Sequence, residues 1–236
     1  MDSTTNNNGS RQCNMQKSKC DAVLLLSGGI DSTTVLEQLT KQGKKVFCLI
    51  FDYKQTLSKE IAYAAQNAKR LKQPYKIISI DLGFAGSKCS LISKTKISVN
   101  RDFKQIDSSI PTSYVEFRNG ILLSYAVMFA EVNGIGEIYG GFNGLASGQY
   151  YDDTLPFIKA FEKAANLGTS PAFNVRIRAP FSMMEKAEIV KAGRKIGIDY
   201  EKNTWSCYNN GDRHCGKCDS CKQRERALKL GGCENG

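Results

Sequence analysis

The stretch VLLLSGGIDSTTVLEQL, residues 23–39, decides the fold. Val23 to Leu26 make an apolar run with the length of a buried strand. Val35, Leu36 and Leu39 then return at helical spacing. Between them lie Ser27, Gly28 and Gly29. A strand that enters a helix through paired glycines gathers backbone N–H groups about one point. Glycine permits φ > 0 and close approach of a ligand, and a helix N-terminus adds unpaired donors and partial positive charge. The hydroxyls of Ser27, Ser32 and Thr33 add further donors. The expectation is a phosphate cradle formed by Leu26, Ser27, Gly28, Gly29, Ile30, Asp31, Ser32 and Thr33. It is not a Walker A loop, because no Lys follows the glycines, and it is not G-x-G-x-x-G. Asp31 is the unusual member. A carboxylate inside a phosphate nest repels the ligand unless a cation lies between them, so Asp31 is suited to hold Mg²⁺ against phosphate oxygens. The plainer reading makes the glycines a tight turn and Asp31 a helix N-cap.

Working outward, residues 45–51 (KVFCLIF), 75–80 (YKIISI) and 137–142 (EIYGGF) read as further strands. Residues 58–72 form an amphipathic helix with Ser58 as N-cap. Residues 119–134 form a helix apolar nearly all round, central in the fold or buried at a subunit contact. Two further helices are expected at 155–167 and 185–197. Strand and helix alternate, which predicts an α/β fold with a parallel sheet flanked by helices. The glycine pair Gly140-Gly141 marks close approach of a ligand or another backbone. Residues 83–117 show no sustained period and read as a long polar loop. The organisation expected is a disordered leader (1–20), a nucleotide-binding domain (21–200) and a C-terminal zinc-binding segment (201–236) ending in a basic tail.

The formal charge of +10 favours polyanionic partners in general. No run of five like charges occurs, so a nucleic-acid tail is not declared. The first twenty residues lack the apolar core of a secretory signal, and no apolar run reaches the roughly 18 residues of a membrane span. An intracellular, cytoplasmic setting is expected, in which clustered cysteines argue for metal rather than disulfides. Of the nine Cys, Cys207, Cys215, Cys218 and Cys221 fall within fifteen residues. Four thiolates with short C-x2-C steps suit tetrahedral zinc, with Zn–S near ~2.3 Å. A four-cysteine iron–sulfur cluster and a redox pair are the competing readings. A site closed by four protein ligands has no vacancy for substrate, so the zinc is expected to be structural. His214, the single His, is not needed as a ligand.

The S-G-G-x-D-S turn resembles the PP-loop of the N-type ATP pyrophosphatases, which implies a Rossmann-like sheet of the adenine nucleotide α-hydrolase type. The order of that loop, FDYKQ (51–55), FRN (117–119), APFSMMEKAEIV (179–190) and TWSCYNNGDRHCGKCDSCKQR (204–224) resembles the QueC family from about Ala22 to Gly232. That resemblance implies ATP-dependent conversion of 7-carboxy-7-deazaguanine and ammonia to 7-cyano-7-deazaguanine through an adenylated intermediate. ATP, Mg²⁺ and Zn²⁺ are the implied cofactors, a homodimer the implied assembly, and ligation of carbon to nitrogen the implied reaction type. Asp31 and Lys186 are the implied catalytic residues, both directed at the ATP phosphates. Tyr53 and Gln55, after the second strand, are expected to form the slot for the base. Arg118 and Asn119 are expected at the carboxylate or base edge, and Asp152 at the guanidine-like edge.

Departures from the family pattern cluster on the substrate side. The family reads F-D-Y-G-Q-[RK]-H where this chain has FDYKQTL, G-R-N where it has FRN, and S-G-Y-P-D-C-R where it has SGQYYDDT. They leave open a QueC-like ligase that stops at the amide, or joins the deazaguanine acid to another amine such as that of a protein. A tRNA-thiolating PP-loop enzyme needs an RNA-binding domain, for which 236 residues leave little room. A zinc-bearing nucleic-acid binder does not account for the complete PP-loop, so direct nucleic-acid binding is not expected.

Overall fold

The computed structural model describes residues 20–55, 59–86, 89–93, 96–144, 150–209 and 211–232. The expected leader (apart from Cys20) and the Ser58 cap lie outside them. Five parallel strands form one sheet in the order β3-β2-β1-β4-β5: β1 (Ala22–Leu25), β2 (Val46–Asp52), β3 (Tyr75–Ser79), β4 (Glu137–Gly140) and β5 (Arg176–Arg178). Among the described helices are α1 (Ile30–Lys41), α2 (Lys59–Arg70), α3 (Phe103–Ser108), α4 (Arg118–Asn133), α5 (Leu155–Gly168), α6 (Lys186–Lys195), α7 (Tyr200–Asn203) and α8 (Asp219–Leu230).

Strand alternation divides the core into two layers. Val23, Leu25, Leu49, Phe51 and Ile138 face Leu123, Ala126, Ala130 and Ile158 of α4 and α5. Leu24, Cys48 and Ile50 face Val35, Leu36, Ala64, Ala68, Ile189 and Ala227 of α1, α2, α6 and α8. Successive side chains of a strand point to opposite faces, so one short apolar strand serves both layers. The chain leaves β1 for β2 on one side and β4 lies on the other. The sheet therefore changes direction between β1 and β4, and the crevice beyond the strand ends at such a point is where open α/β sheets bind ligands.

Two glycines hold α1 and α2 against this crevice. Gly28 has φ +82°, and a Cβ there would lie 2.4 Å from the Glu60 carbonyl oxygen and 2.9 Å from the Ala64 nitrogen of α2. At Gly141, just past β4, a Cβ would lie 2.7 Å from the Ser32 nitrogen of α1. The close approach expected at the Gly140-Gly141 pair is thus to another backbone.

Two expectations need correction, and one element was not foreseen. Residues 83–117 are not a featureless loop. They contain α3, with a capping box between Asp102 and Gln105, and an isolated bridge from Val99 to Cys218. The basic tail is the helix α8, which buries Cys221, Arg224 and Ala227 on one face. The sheet also has an edge strand, β5, with a single apolar residue between two arginines. We expect Gly28→Ala to destabilise the protein by about 2 kcal/mol or more, from backbone strain and steric overlap. Urea denaturation midpoints check this; an unchanged midpoint would show that α2 can retreat from the turn.

Candidate active site

A cleft of about 770 Å³ opens at the carboxyl ends of β1, β2 and β4, a volume within the range of small-molecule sites. One wall is the glycine turn. Leu26, Ser27, Gly29, Ile30, Asp31 and Ser32 line it, whereas Gly28 and Thr33 do not. Gly28 is turned to α2, and the buried Thr33 hydroxyl accepts from Asn67 Nδ2 of α2 at 3.3 Å. Helix α1 has Gly29 at its N-cap, with no side chain capping it, so Asp31 is a first-turn residue rather than the cap. Its leading N–H groups remain available to an anion. The Ser27 and Ser32 hydroxyls lie 3.0 Å apart, and Ser32 Oγ also accepts from the Ser27 N–H at 3.2 Å.

Lys186, the first residue of α6, reaches across the cleft to Asp31, with Nζ 3.3 Å from Oδ2. The carboxylate beside it holds the lysine above its ordinary range, against the opposing effect of burial. The other oxygen, Asp31 Oδ1, is buried and has no hydrogen-bond partner among the described residues. An orphaned carboxylate oxygen beside a cation-lined anion cradle fits a hard metal ion bridging to phosphate.

The opposite wall carries the substrate-side residues. Tyr53 is buried, and Arg118 lies over its ring at 5.9 Å while donating from Nη1 to its hydroxyl at 3.4 Å. Gln55 lines the cleft, but its amide closes the turn after β2: Oε1 accepts from the Tyr53 N–H at 2.8 Å and Nε2 donates to the Phe51 carbonyl at 3.4 Å. Asn119 and Asp152 are paired with each other. Asp152 Oδ2 accepts the Asn119 N–H at 2.7 Å, and Asn119 Nδ2 donates to the Asp152 carbonyl at 3.3 Å. Asp152 is only 4% exposed, so its carboxylate is committed to the start of α4, and of this adjacent pair it is Asp153 that lines the cleft. Where the family pattern has glycine, Lys54 and Phe117 keep left-handed backbone, with φ +58° and +52°.

Among the cleft-lining residues that sequence reasoning missed are Glu60, Ser113, Asp153 and Tyr208. Glu60 stands in the first turn of α2, directly beyond Gly28. Burial pushes its carboxyl up to about 7, although the charges of Arg118 and Lys186 pull the other way. Among the described residues nothing donates a hydrogen bond to it. A first-turn glutamate is an ordinary helix feature, and only its place facing the cleft distinguishes it. Tyr208, whose hydroxyl accepts from Ser113 Oγ at 3.1 Å, was hidden inside the cysteine motif.

That motif forms the cleft's far support. The Sγ atoms of Cys207, Cys215, Cys218 and Cys221 all lie within 4.8 Å of one another. Tetrahedral zinc with ~2.3 Å bonds would set sulfurs about 3.8 Å apart. Cys215 and Cys221 stand at 3.9 Å, and backbone N–H groups of Asn209 and Cys215 point at Cys207 Sγ from 3.3 Å. The hydrogen bond from Cys221 pushes the Cys218 thiol below the ordinary cysteine range and raises Cys221 in turn. His214 is not in the group. It stacks on Trp205 at 4.2 Å, and Nε2 accepts from the Ser206 N–H. The knot joins the glycine turn directly, because the Trp205 N–H donates to the Gly28 carbonyl at 3.1 Å.

The fold and site define a PP-loop α/β nucleotide-utilising enzyme with a four-cysteine metal-binding knot at its C-terminus. Comparison with known proteins narrows the class. The profile described as "Queuosine biosynthesis protein QueC" matches residues 21–232, and the chain belongs to that family. Its relatives include 7-cyano-7-deazaguanine synthase of Thermoplasma acidophilum, 38% identical over 216 residues, covering 91% of this chain and 90% of the relative. Another is the synthase of that name from Clostridium kluyveri, 39% identical over 216 residues and covering 89% and 94%. Among solved structures, NMN synthetase of Francisella tularensis shares the fold, with TM-score 0.52 at 16% identity, covering 92% of this chain and 80% of that one. No helix among the described residues is long and apolar enough to cross a membrane.

The raised Glu60 value has a consequence for stability. The folded chain holds this proton more tightly than the unfolded chain, whose value is near 4.5. Its contribution is complete below about 4.5 and is lost as pH rises toward about 7. Without ligands, Glu60→Gln should therefore melt above the unmodified protein at pH 8, with the gap closing toward pH 5. A gap independent of pH would contradict this assignment.

Proposed function

We propose that this chain converts 7-carboxy-7-deazaguanine, ammonia and ATP into 7-cyano-7-deazaguanine. The observation that carries the reading is one cleft holding the uncapped glycine turn, the Asp31–Lys186 pair and, opposite them, Arg118 over Tyr53. A carboxylate is a poor electrophile, and its oxygen must become a leaving group. In the proposed reaction that oxygen attacks the α-phosphorus of ATP. The bond to the β-phosphate oxygen breaks and pyrophosphate leaves. Ammonia then forms the C–N bond as the C–O bond to AMP breaks, giving the amide. A second ATP adenylates the amide oxygen with loss of pyrophosphate, and departure of AMP and of both protons on nitrogen leaves the nitrile. This is carbon–nitrogen ligation followed by dehydration.

The residues support these steps by position and charge. The first-turn N–H groups of α1, with Ser27 and Ser32, receive the pyrophosphate end. Lys186 neutralises charge that grows on it. Mg²⁺ bound through Asp31 would screen phosphate charge. Arg118 orients the carboxylate and Tyr53 backs the base, while Asp153, rather than Asp152, meets its polar edge. Zinc in the four-thiol knot would act as a clasp for residues 201–236 against the glycine turn, and it has no open position for chemistry. A reducing, cytoplasmic setting is part of this reading, in which the cysteine thiols stay free to hold metal. A homodimer is proposed through the outer stripe of α4, where Met128 and Val132 stand 58% and 62% exposed.

The direct test incubates the protein with ATP, Mg²⁺, ammonium and carboxy-deazaguanine and identifies products by mass. Nitrile with two AMP per turnover is expected. An amide or a conjugate as final product would replace this reading with the corresponding ligase. Asp31→Ala should lower AMP formation by about 100-fold or more with its melting temperature little changed. Normal turnover would remove Asp31 from the mechanism. Cys218→Ser should lose bound zinc, measured by elemental analysis, and become protease-sensitive around Trp205. A zinc-free variant as stable as the original would contradict the clasp.

A further inference from the structure

At neutral pH the nitrogen source is almost entirely ammonium, which has no lone pair for attack. The reaction proposed above therefore needs a proton acceptor next to the acyl carbon, and none of the residues assigned so far is one. Asp31 is tied to Lys186, Asp152 to the Asn119 N–H and Asp153 to the Asn143 N–H, and Arg118 and Lys186 are cations. Glu60 is the cleft-lining acid whose carboxylate no described group hydrogen-bonds.

Its placement is determined by backbone. The Glu60 carbonyl lies where a Gly28 Cβ would be, so the first turn of α2 is packed directly onto the glycine turn. The side chain is half-buried and faces the charges of Arg118 on α4 and Lys186 on α6. It also faces the phenols of Tyr53, after β2, and Tyr208, from the knot, both pushed above the ordinary tyrosine range by burial. Lys186 belongs to the phosphate end and Arg118 to the carboxylate end, and the acyl–phosphate bond lies between those ends. A group coupled to both cations stands at the reacting centre rather than along the base.

Resting on the proposed synthase reading, we infer that Glu60 binds ammonium in the cleft and is the proton acceptor that releases ammonia for attack on the adenylated carboxylate. One proton passes from ammonium to the Glu60 carboxylate, leaving neutral ammonia. Its lone pair forms the C–N bond, and the electron pair of the C–O bond leaves with AMP. The nitrogen's second proton departs with AMP phosphate or water, and Glu60 returns its own proton to solvent as products leave. A carboxyl poised near neutrality is matched to that exchange, being ionised enough to accept and basic enough to hold the proton.

The experiment compares Glu60→Gln, Glu60→Asp and the unmodified enzyme in two assays. Carboxy-deazaguanine-dependent exchange of labelled pyrophosphate into ATP, without ammonium, reads adenylation alone. Product formation is then measured with ammonium and, separately, with hydroxylamine, which is already neutral at neutral pH and needs no acceptor before attack. Glu60→Gln should lose about 100-fold in kcat/KM for ammonium, keep exchange within about 3-fold, and form the hydroxamate at a rate close to the unmodified enzyme's. Glu60→Asp should recover part of the ammonium rate. Equal loss with hydroxylamine and ammonium would overturn the proton-acceptor role. A fall in exchange matching the fall in product, with a raised KM for carboxy-deazaguanine, would make Glu60 a contact to the base instead. Absence of exchange in the unmodified enzyme, while it exchanges with another carboxylic acid, would overturn the substrate assignment and the role of Glu60 with it.

Discussion

At Gly28 two backbones meet with no room for a side chain between them. A β-carbon there would overlap the Glu60 carbonyl and crowd the Ala64 nitrogen, and the residue's φ of +82° suits glycine alone. This one contact fixes the start of α2 against the end of β1. It aims Glu60 into the cleft, keeps the first turn of α1 uncapped beside it, and turns the Gly28 carbonyl toward Trp205. Of the two glycines in the motif, the first therefore answers to helix packing. The second, Gly29, meets only Ser27 Oγ at 3.5 Å and lines the cleft, so it is the one that leaves room for an anion.

The cysteine knot depends on the same turn from the other side. Its Trp205 donates to Gly28, stacks on His214, and lies under Lys59 Nζ at 4.6 Å, with Lys59 at the head of α2. From its far end, Arg224 of α8 is buried and donates to Thr204 Oγ1 and the Tyr200 carbonyl, each at 2.6 Å. The Tyr200 hydroxyl meets Thr34 of α1 at 2.7 Å. Four thiols packed this closely repel once ionised, and a bound metal removes that repulsion. Such sites contribute about 10 kcal/mol or more, comparable to the whole margin of about 5–15 kcal/mol that holds a domain folded. A metal held by four thiolates would have no open position for chemistry, yet the elements the knot gathers position the cradle.

How much of this was legible in the sequence follows from where the local signal was strong. Strands β1 to β4 and helices α1, α2, α4, α5 and α6 carry apolar residues at their own periods, and their positions were readable. Strand β5 carries only Ile177 as its apolar residue, and it pairs with β4 through a register that no local pattern encodes. Helix α8 was obscured because its buried face is Cys221, Arg224 and Ala227, a metal ligand and a charge where an apolar stripe is expected. Within the site, motif residues were found and their directions were not. Thr33 and Asp152 belong to the right segments, but one faces α2 and the other caps α4. Those choices are made by tertiary neighbours, Asn67 and Asn119, far away in sequence. Glu60 had no local signal beyond being a first-turn acid.

The departures from the family pattern take on a different weight once their backbone is known. Lys54 and Phe117 stand where the pattern has glycine, and both hold the left-handed conformation that explains a glycine there. An L-residue in that region costs about 1–2 kcal/mol, so the chain accepts strain at two places instead of rerouting. What changes is the side chain added outside the turn. Lys54 pairs with Asp81 at 2.7 Å, both well exposed, and Phe117 packs edge-on against Phe157 at 5.7 Å. Between them the path that sets Tyr53, Gln55 and Arg118 keeps the form that glycine would have permitted. Lys54 and Phe117 therefore add their side chains outside the cleft lining. The third departure acts differently, because its Tyr150 and Asp153 enter the cleft lining itself and so change the surface that meets substrate.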